Sequence, residues 1–161
     1  MNIINSVGTL ALSTRLQRLS EQLRKDGALL YKEYNIDFEP KWFPVIYTLY
    51  QRKKLNIIEI ASEIGYSHPS TISLLKELEK EKIVQSKKDK KDERKRIVSL
   101  TTKGESLVSD MLPVWSIINK ALEEIIDNEN NLLKAINEAE EKIKRSSFFQ
   151  RALILKEKAA L

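Results

Sequence analysis

Two short helical stretches joined by a three-residue turn constrain this chain more than any other feature. Residues 55–64, LNIIEIASEI, place Ile57, Ile60, Ala61 and Ile64 along one side of a helix. Asn56 with Glu59 three residues later predicts a capping box at its start, and Gly65 predicts a left-handed residue at its end. Ser67 then caps a further helix, with Pro69 in its first turn, that runs to about Lys82. This is the pattern of a helix-turn-helix unit. At about 100° per residue, Thr71, Leu74, Leu75 and Leu78 fall on one face of the second helix. Pro69, Ser73, Lys76 and Lys80 point the opposite way, with Ile72 flanking. A small, polar, basic face of this kind suits the major groove of DNA, where hydroxyls and an ammonium reach base edges and phosphates and an apolar group meets a thymine methyl. Ser67, His68 and Ser70 join that set as first-turn candidates. The alternative reading of the helices is a helical hairpin without a ligand.

The charge distribution weighs against that second reading. Net charge is +5, and residues 82–96 carry eight basic side chains against three acids, which leaves the rest of the chain balanced. A charge run is often only a solvated surface. Here it coincides with two extended segments, Ile83 to Lys88 and Arg94 to Leu100, joined by the charged stretch DKKDE. A basic hairpin directly after a candidate reading helix is a wing that can follow phosphates and probe the minor groove. Lys88, Lys90, Lys91 and Lys95 are its candidate phosphate contacts.

Helices surround this unit. Residues 3–34 read as one long helix with an apolar stripe through Leu12, Leu16, Leu19 and Leu23. A second helix spans about residues 40–52, where Pro44 should tighten or delay the start and an almost continuous apolar surface predicts deep packing. Thr101 or Thr102 caps a helix that reaches about Asp127 and is bent at Pro113, and two more helical stretches cover roughly 129–145 and 147–159. Phe148, Phe149, Leu153 and Leu155 lie in a tail too short to form a core alone, so the apolar termini predict a homodimer.

The stretch DERKRIVSLTTKG resembles the wing of the MarR family of transcriptional regulators, through Asp92, Arg94, Leu100, Thr101 and Gly104. The order of elements along nearly the whole chain is similar as well. The resemblance implies that Arg94 enters the minor groove and that Asp92 supports it or its loop. It also implies a mostly α (α+β) fold, one MarR-like domain over 1–161. A winged helix-turn-helix lobe would occupy 36–100, and 1–35 with 101–161 would supply dimerisation helices. The implied function is a dimeric, sequence-specific regulator of double-stranded DNA, a repressor acting at a pseudo-palindromic operator. The outward Arg frequent on the family's reading helix is absent here, and Ser73 and Lys76 take its place. The competing reading is a winged-helix protein-interaction module without DNA binding.

Tyr31, Trp42, Phe43, Tyr47 and Trp115 are first of all core or interface aromatics. Their functional reading is a pocket for a small-molecule effector, since relatives in the family release DNA on binding small aromatic or anionic compounds. His68 is the only histidine and cysteine is absent, so no metal site and no cofactor are expected. No phosphate-binding Gly-rich loop or serine-nucleophile pattern is present, and no enzyme activity is expected. Nor does any stretch read as a membrane span or signal segment, which leads to the expectation of a cytoplasmic protein.

Overall fold

The break in the N-terminal helical stretch falls at Gly8. The computed structural model describes residues 2–88 and 96–159. In it α1 (Ile3–Ser6), capped by Asn2, gives way to a 3-10 turn (Gly8–Ala11) and then α2 (Leu12–Glu33). Gly8 has φ +74°, a conformation that L side chains avoid, so the single helix expected over 3–34 is divided there. Gly27 lies inside α2 without interrupting it.

Contacts divide the chain into two compact units, 1–116 and 117–161. In the first, Pro40–Trp42 form a 3-10 turn that leads into α3 (Phe43–Arg52), with Pro44 in its first turn, where a missing N–H costs no bond. Val45, Ile46 and Leu49 are fully buried, but Phe43 and Tyr47 are 38% and 40% exposed. The deep packing expected of this helix therefore holds for one side and fails on the other.

Strand β1 (Lys54–Asn56) follows at once and pairs antiparallel with a strand more than forty residues away, Leu55 lying opposite Val98. Next come α4 (Ile57–Ile64), α5 (His68–Lys80), β2 (Val84–Lys88), β3 (Arg96–Leu100) and α6 (Thr102–Ile126). The sheet order is β1-β3-β2, with Val84 opposite Leu100 and Lys88 opposite Arg96. Ile60, Leu78, Val98, Val108, Met111 and Val114 join the α3 residues in a core formed by helices on one side of the sheet. Helix α5 stops at Lys80 rather than Lys82 because Lys82 turns left-handed (φ 59°), letting the Ile83 N–H reach back to the Leu78 carbonyl at 3.0 Å. That bond also keeps Ile83 out of the strand in which it was expected. Arg94 and Lys95, expected at the start of the second strand, lie outside the described residues.

Thr101 joins the hairpin to α6. Its hydroxyl accepts from the Gly104 N–H at 3.1 Å and donates to the Lys82 carbonyl at 2.6 Å. Helix α6 continues through Pro113, and the boundary between the units falls within it, after Ser116.

The second unit holds the remainder of α6, α7 (Leu132–Arg145) and α8 (Phe148–Ala159). Asn131 caps α7, and Ser147 with Gln150 forms a reciprocal cap on α8 at 3.2 and 2.8 Å. Neither helix buries a single side chain fully. Among the described residues no helix is long and apolar enough to cross a membrane.

Candidate nucleic-acid interface

The helix-turn-helix is built by its caps. The Asn56 side chain accepts from the Glu59 N–H at 3.0 Å while the Glu59 carboxylate accepts from the Asn56 N–H at 2.7 Å, closing the capping box. Gly65 takes φ +69° and ends α4. The Tyr66 N–H closes the turn on the Ala61 carbonyl at 3.1 Å. Ser67 caps α5 through Ser70 N, at 3.3 Å. Its carbonyl also accepts from the Thr71 hydroxyl at 3.0 Å, which satisfies a polar side chain fully buried in the core.

Helix α5 divides as its periodicity predicts. Thr71, Leu74, Leu75 and Leu78 are buried, whereas Ser67, His68, Pro69, Ser70, Ser73, Lys76 and Lys80 are exposed and Ile72 is half-buried. The exposed set holds two cations and no acid, while Glu77 and Glu79 beside it are half-buried.

What the sequence reading missed is how the acids of α5 are held. Glu77 lies only about 40° around the helix from Ser73 and would oppose a phosphate backbone if free. It accepts instead from the Trp42 indole N–H at 2.7 Å and pairs with Lys41 at 2.8 Å. The Lys41 ammonium and then the Trp42 N–H hold the Glu77 carboxyl below the usual carboxylate range, while the same carboxylate, with Glu39, raises the Lys41 pKa. A depressed carboxyl pKa keeps this contact in place at and above ordinary carboxylate pH, and it is lost only as the pH falls through the lowered value. On the other flank Glu79 accepts from the Ser86 hydroxyl, and Ser86 in turn accepts from the Arg96 guanidinium at 2.7 Å. The available signal was an acid flanking a face meant for DNA: such a group needs a partner.

Lys88 ends β2, exposed, opposite Arg96. Lys90, Lys91, Asp92, Arg94 and Lys95 lie outside the described residues, so the expected roles of Arg94 and Asp92 rest on the resemblance alone.

The family described as transcriptional regulator SarA/Rot matches residues 27–111, more than half of the chain and the whole region just described. The chain belongs to the SarA/Rot family of transcriptional regulators. A curated relative, the HTH-type transcriptional regulator SarZ of Staphylococcus aureus, is 26% identical over 121 residues, 71% of this chain and 80% of its own length. Among solved structures, the S. aureus MepR–DNA complex aligns with a TM-score of 0.67 at 21% identity, covering 82% of this chain and 96% of MepR. A mutant E. coli MarR complexed with operator DNA aligns with a TM-score of 0.60 at 17% identity, covering 80% and 93%. At these identities the structures establish the fold, and it is the winged helix-turn-helix that the wing motif implied. The SarA/Rot proteins are regulators and not enzymes, in keeping with the reading of the sequence.

In this SarA/Rot chain the five aromatics proposed for a pocket are joined in one run of ring contacts, with Phe38 as the link between Tyr31, at 4.8 Å, and Trp42, at 5.8 Å. The Trp115 indole donates to the Tyr31 hydroxyl at 3.3 Å, and Phe43 and Tyr47 stand edge-on to Trp115 at 5.3 and 5.5 Å between ring centroids. Burial raises the Tyr31 pKa, the Trp115 hydrogen bond opposing it, so the hydroxyl is neutral at physiological pH. Trp42, at the far end of that run, donates to Glu77 and borders a cleft of about 210 Å³ together with Ile36, Ile83 and Leu107.

Proposed function

We propose that the protein is a homodimeric repressor that binds a pseudo-palindromic operator in double-stranded DNA, with α5 in the major groove and the wing on the adjacent backbone and minor groove. The observation that carries this reading is the exposed face of α5. Its fully exposed residues carry no acid and no bulky apolar group, the half-buried Glu77 and Glu79 being engaged by Lys41, Trp42 and Ser86, and it adjoins a hairpin that holds the whole positive excess of the chain. Ser67, His68, Pro69, Ser70, Ile72, Ser73 and Lys76 would meet the groove; Lys88, Lys90, Lys91 and Lys95 would meet phosphates; Arg94, supported by Asp92, would enter the minor groove. Residues 36–100 would form the DNA-binding lobe, and both terminal regions would dimerise. Two-fold symmetry would then set the paired α5 helices about 34 Å apart, or a multiple of it.

Exposed apolar side chains in both units support self-association: Leu10, Leu12 and Leu16 in one, Phe148, Phe149 and Leu155 in the other. A small-molecule effector would act by favouring a dimer whose reading helices have the wrong separation. The exposed faces of Phe43 and Tyr47, backed by Trp115 and Tyr31, support an aromatic compound in that role.

Substitutions separate positioning from reading. Lys88→Ala is expected to weaken binding to every duplex alike and to reduce the salt slope by up to about 0.9, the signature of one phosphate contact. Ser73→Ala and Lys76→Ala are expected instead to change which sequences are selected from a random duplex pool. Selection of the same sequences by both variants, with only overall affinity reduced, would show that α5 is not the reading element.

A further inference from the structure

The wing root and the reading helix are tied together by a chain of side chains that charge counting does not foresee. Ser86 lies opposite Val98, and Arg96 lies opposite Lys88 two residues away, so Ser86 and Arg96 are diagonal neighbours across the hairpin. Both share the sheet face of Val98, which is buried against the core, and this turns them toward α5 rather than away from it. There the Arg96 guanidinium donates to the Ser86 hydroxyl at 2.7 Å, and that hydroxyl donates its own proton to the Glu79 carboxylate in the last turn of α5. The directions are consistent at each step. Arg96 can only donate, Glu79 as an ionised carboxylate can only accept, and Ser86 alone can do both. A hydroxyl held between a cation and an anion is polarised by each, and such bonds are stronger than neutral ones.

We infer that Glu79, Ser86 and Arg96 form a relay that fixes the angle of the wing against α5, making them positioning residues for sequence discrimination. The inference rests on the DNA-binding reading above. A wing hinged only by its two strands could tilt about its root, and a small tilt there displaces its far end further. With the relay in place, the reading helix and the wing meet one duplex in a single fixed arrangement. Binding then costs less ordering, and the gain falls on the sequence that fits both elements together. The relay also explains an acid at this place: Glu79 serves the hairpin, although its charge alone would disfavour DNA.

The test uses the full-length protein and a duplex selected by the wild type from a random-sequence pool, with a scrambled duplex beside it. Ser86→Ala is expected to weaken binding to the selected duplex about fivefold, leaving the scrambled duplex and the thermal midpoint unchanged, and Ser86→Thr is expected to restore it. Glu79→Ala gives the sharper contrast, because it removes a negative charge near the DNA. Charge counting expects tighter binding, whereas the relay expects weaker binding to the selected duplex. Arg96→Lys keeps the charge but loses the planar fork, and should match Ser86→Ala without adding to it in the double variant. Selected-duplex affinity within twofold of wild type for Ser86→Ala, or a gain for Glu79→Ala, would overturn the relay while leaving DNA binding intact. Wild-type protein that selects no duplex at all would overturn the DNA-binding reading, and the relay with it.

Discussion

Replacing Gly104 by alanine is expected to destabilise the first unit by about 2–3 kcal/mol, the cost of forcing an extra methyl group into a closed packing. A Cβ at this position falls inside the van der Waals envelope of the Ile83 carbonyl oxygen and 3.3 Å from Leu100 Cδ2. The carbonyl has little room to retreat. It accepts from Thr101 N at 3.0 Å, while Ile83 N is committed to the Leu78 carbonyl. Glycine is therefore required where the first turn of α6 crosses the chain between α5 and β2. For a chain of this length the loss corresponds to a fall of about 5–10 °C in thermal midpoint. Gly27→Ala is the matching control, since nothing lies within 4 Å of a Cβ there and the position is helical. That change should be neutral or stabilising by up to about 1 kcal/mol. Equal melting of Gly104→Ala and wild type would contradict the close approach.

Removing the residues after Ser146 is expected to convert the proposed dimer to a monomer and to weaken binding to the proposed operator about a hundredfold or more. The segment holds α8, whose Phe148, Phe149 and Leu155 are 81%, 68% and 66% exposed in the single chain. Burying side chains of this size is worth roughly 1.5–3 kcal/mol each, so a dimer interface without them loses a large share of its stabilisation. A monomer would then engage one half-site and forgo the second, intramolecular contact, whose worth is on the order of 10²–10⁴ in affinity. Sedimentation of intact and shortened chains, followed by titration with a two-half-site duplex, reads both effects. An intact chain that sediments as a monomer at micromolar concentration and binds one half-site tightly would remove the case for dimerisation.

The sequence was most legible where the determinants are local. The Asn56–Glu59 box, the left-handed Gly65 and the Ser67 cap each act within a few residues, and each is found where the pattern puts it. The two faces of α5 were legible for the same reason. Strand β1 was not, because three residues cannot show alternation and Lys54–Asn56 become a strand only by pairing with β3. Trp42 and Phe43 are adjacent in sequence, yet they pack on different rings, Phe38 and Trp115, from either side of the step from 3-10 turn to α-helix. The anchors of Glu77 and Glu79 come from residues on other elements, which no helical period encodes. Gly104 was legible as a motif letter, but its reason lies in a carbonyl about twenty positions earlier.

The central claim, that the α5 face and the wing form a DNA-binding surface, is tested most directly by the salt dependence of duplex binding. Fluorescence anisotropy with a labelled duplex selected by the protein, across about 50–300 mM salt, should give a straight line of log K against log salt. Its slope should be steeply negative, about −0.9 for each phosphate contact. Lys76→Ala and Lys88→Ala should each make that slope shallower. No binding at the lowest salt, or an affinity indifferent to salt and to both lysines, would contradict the account.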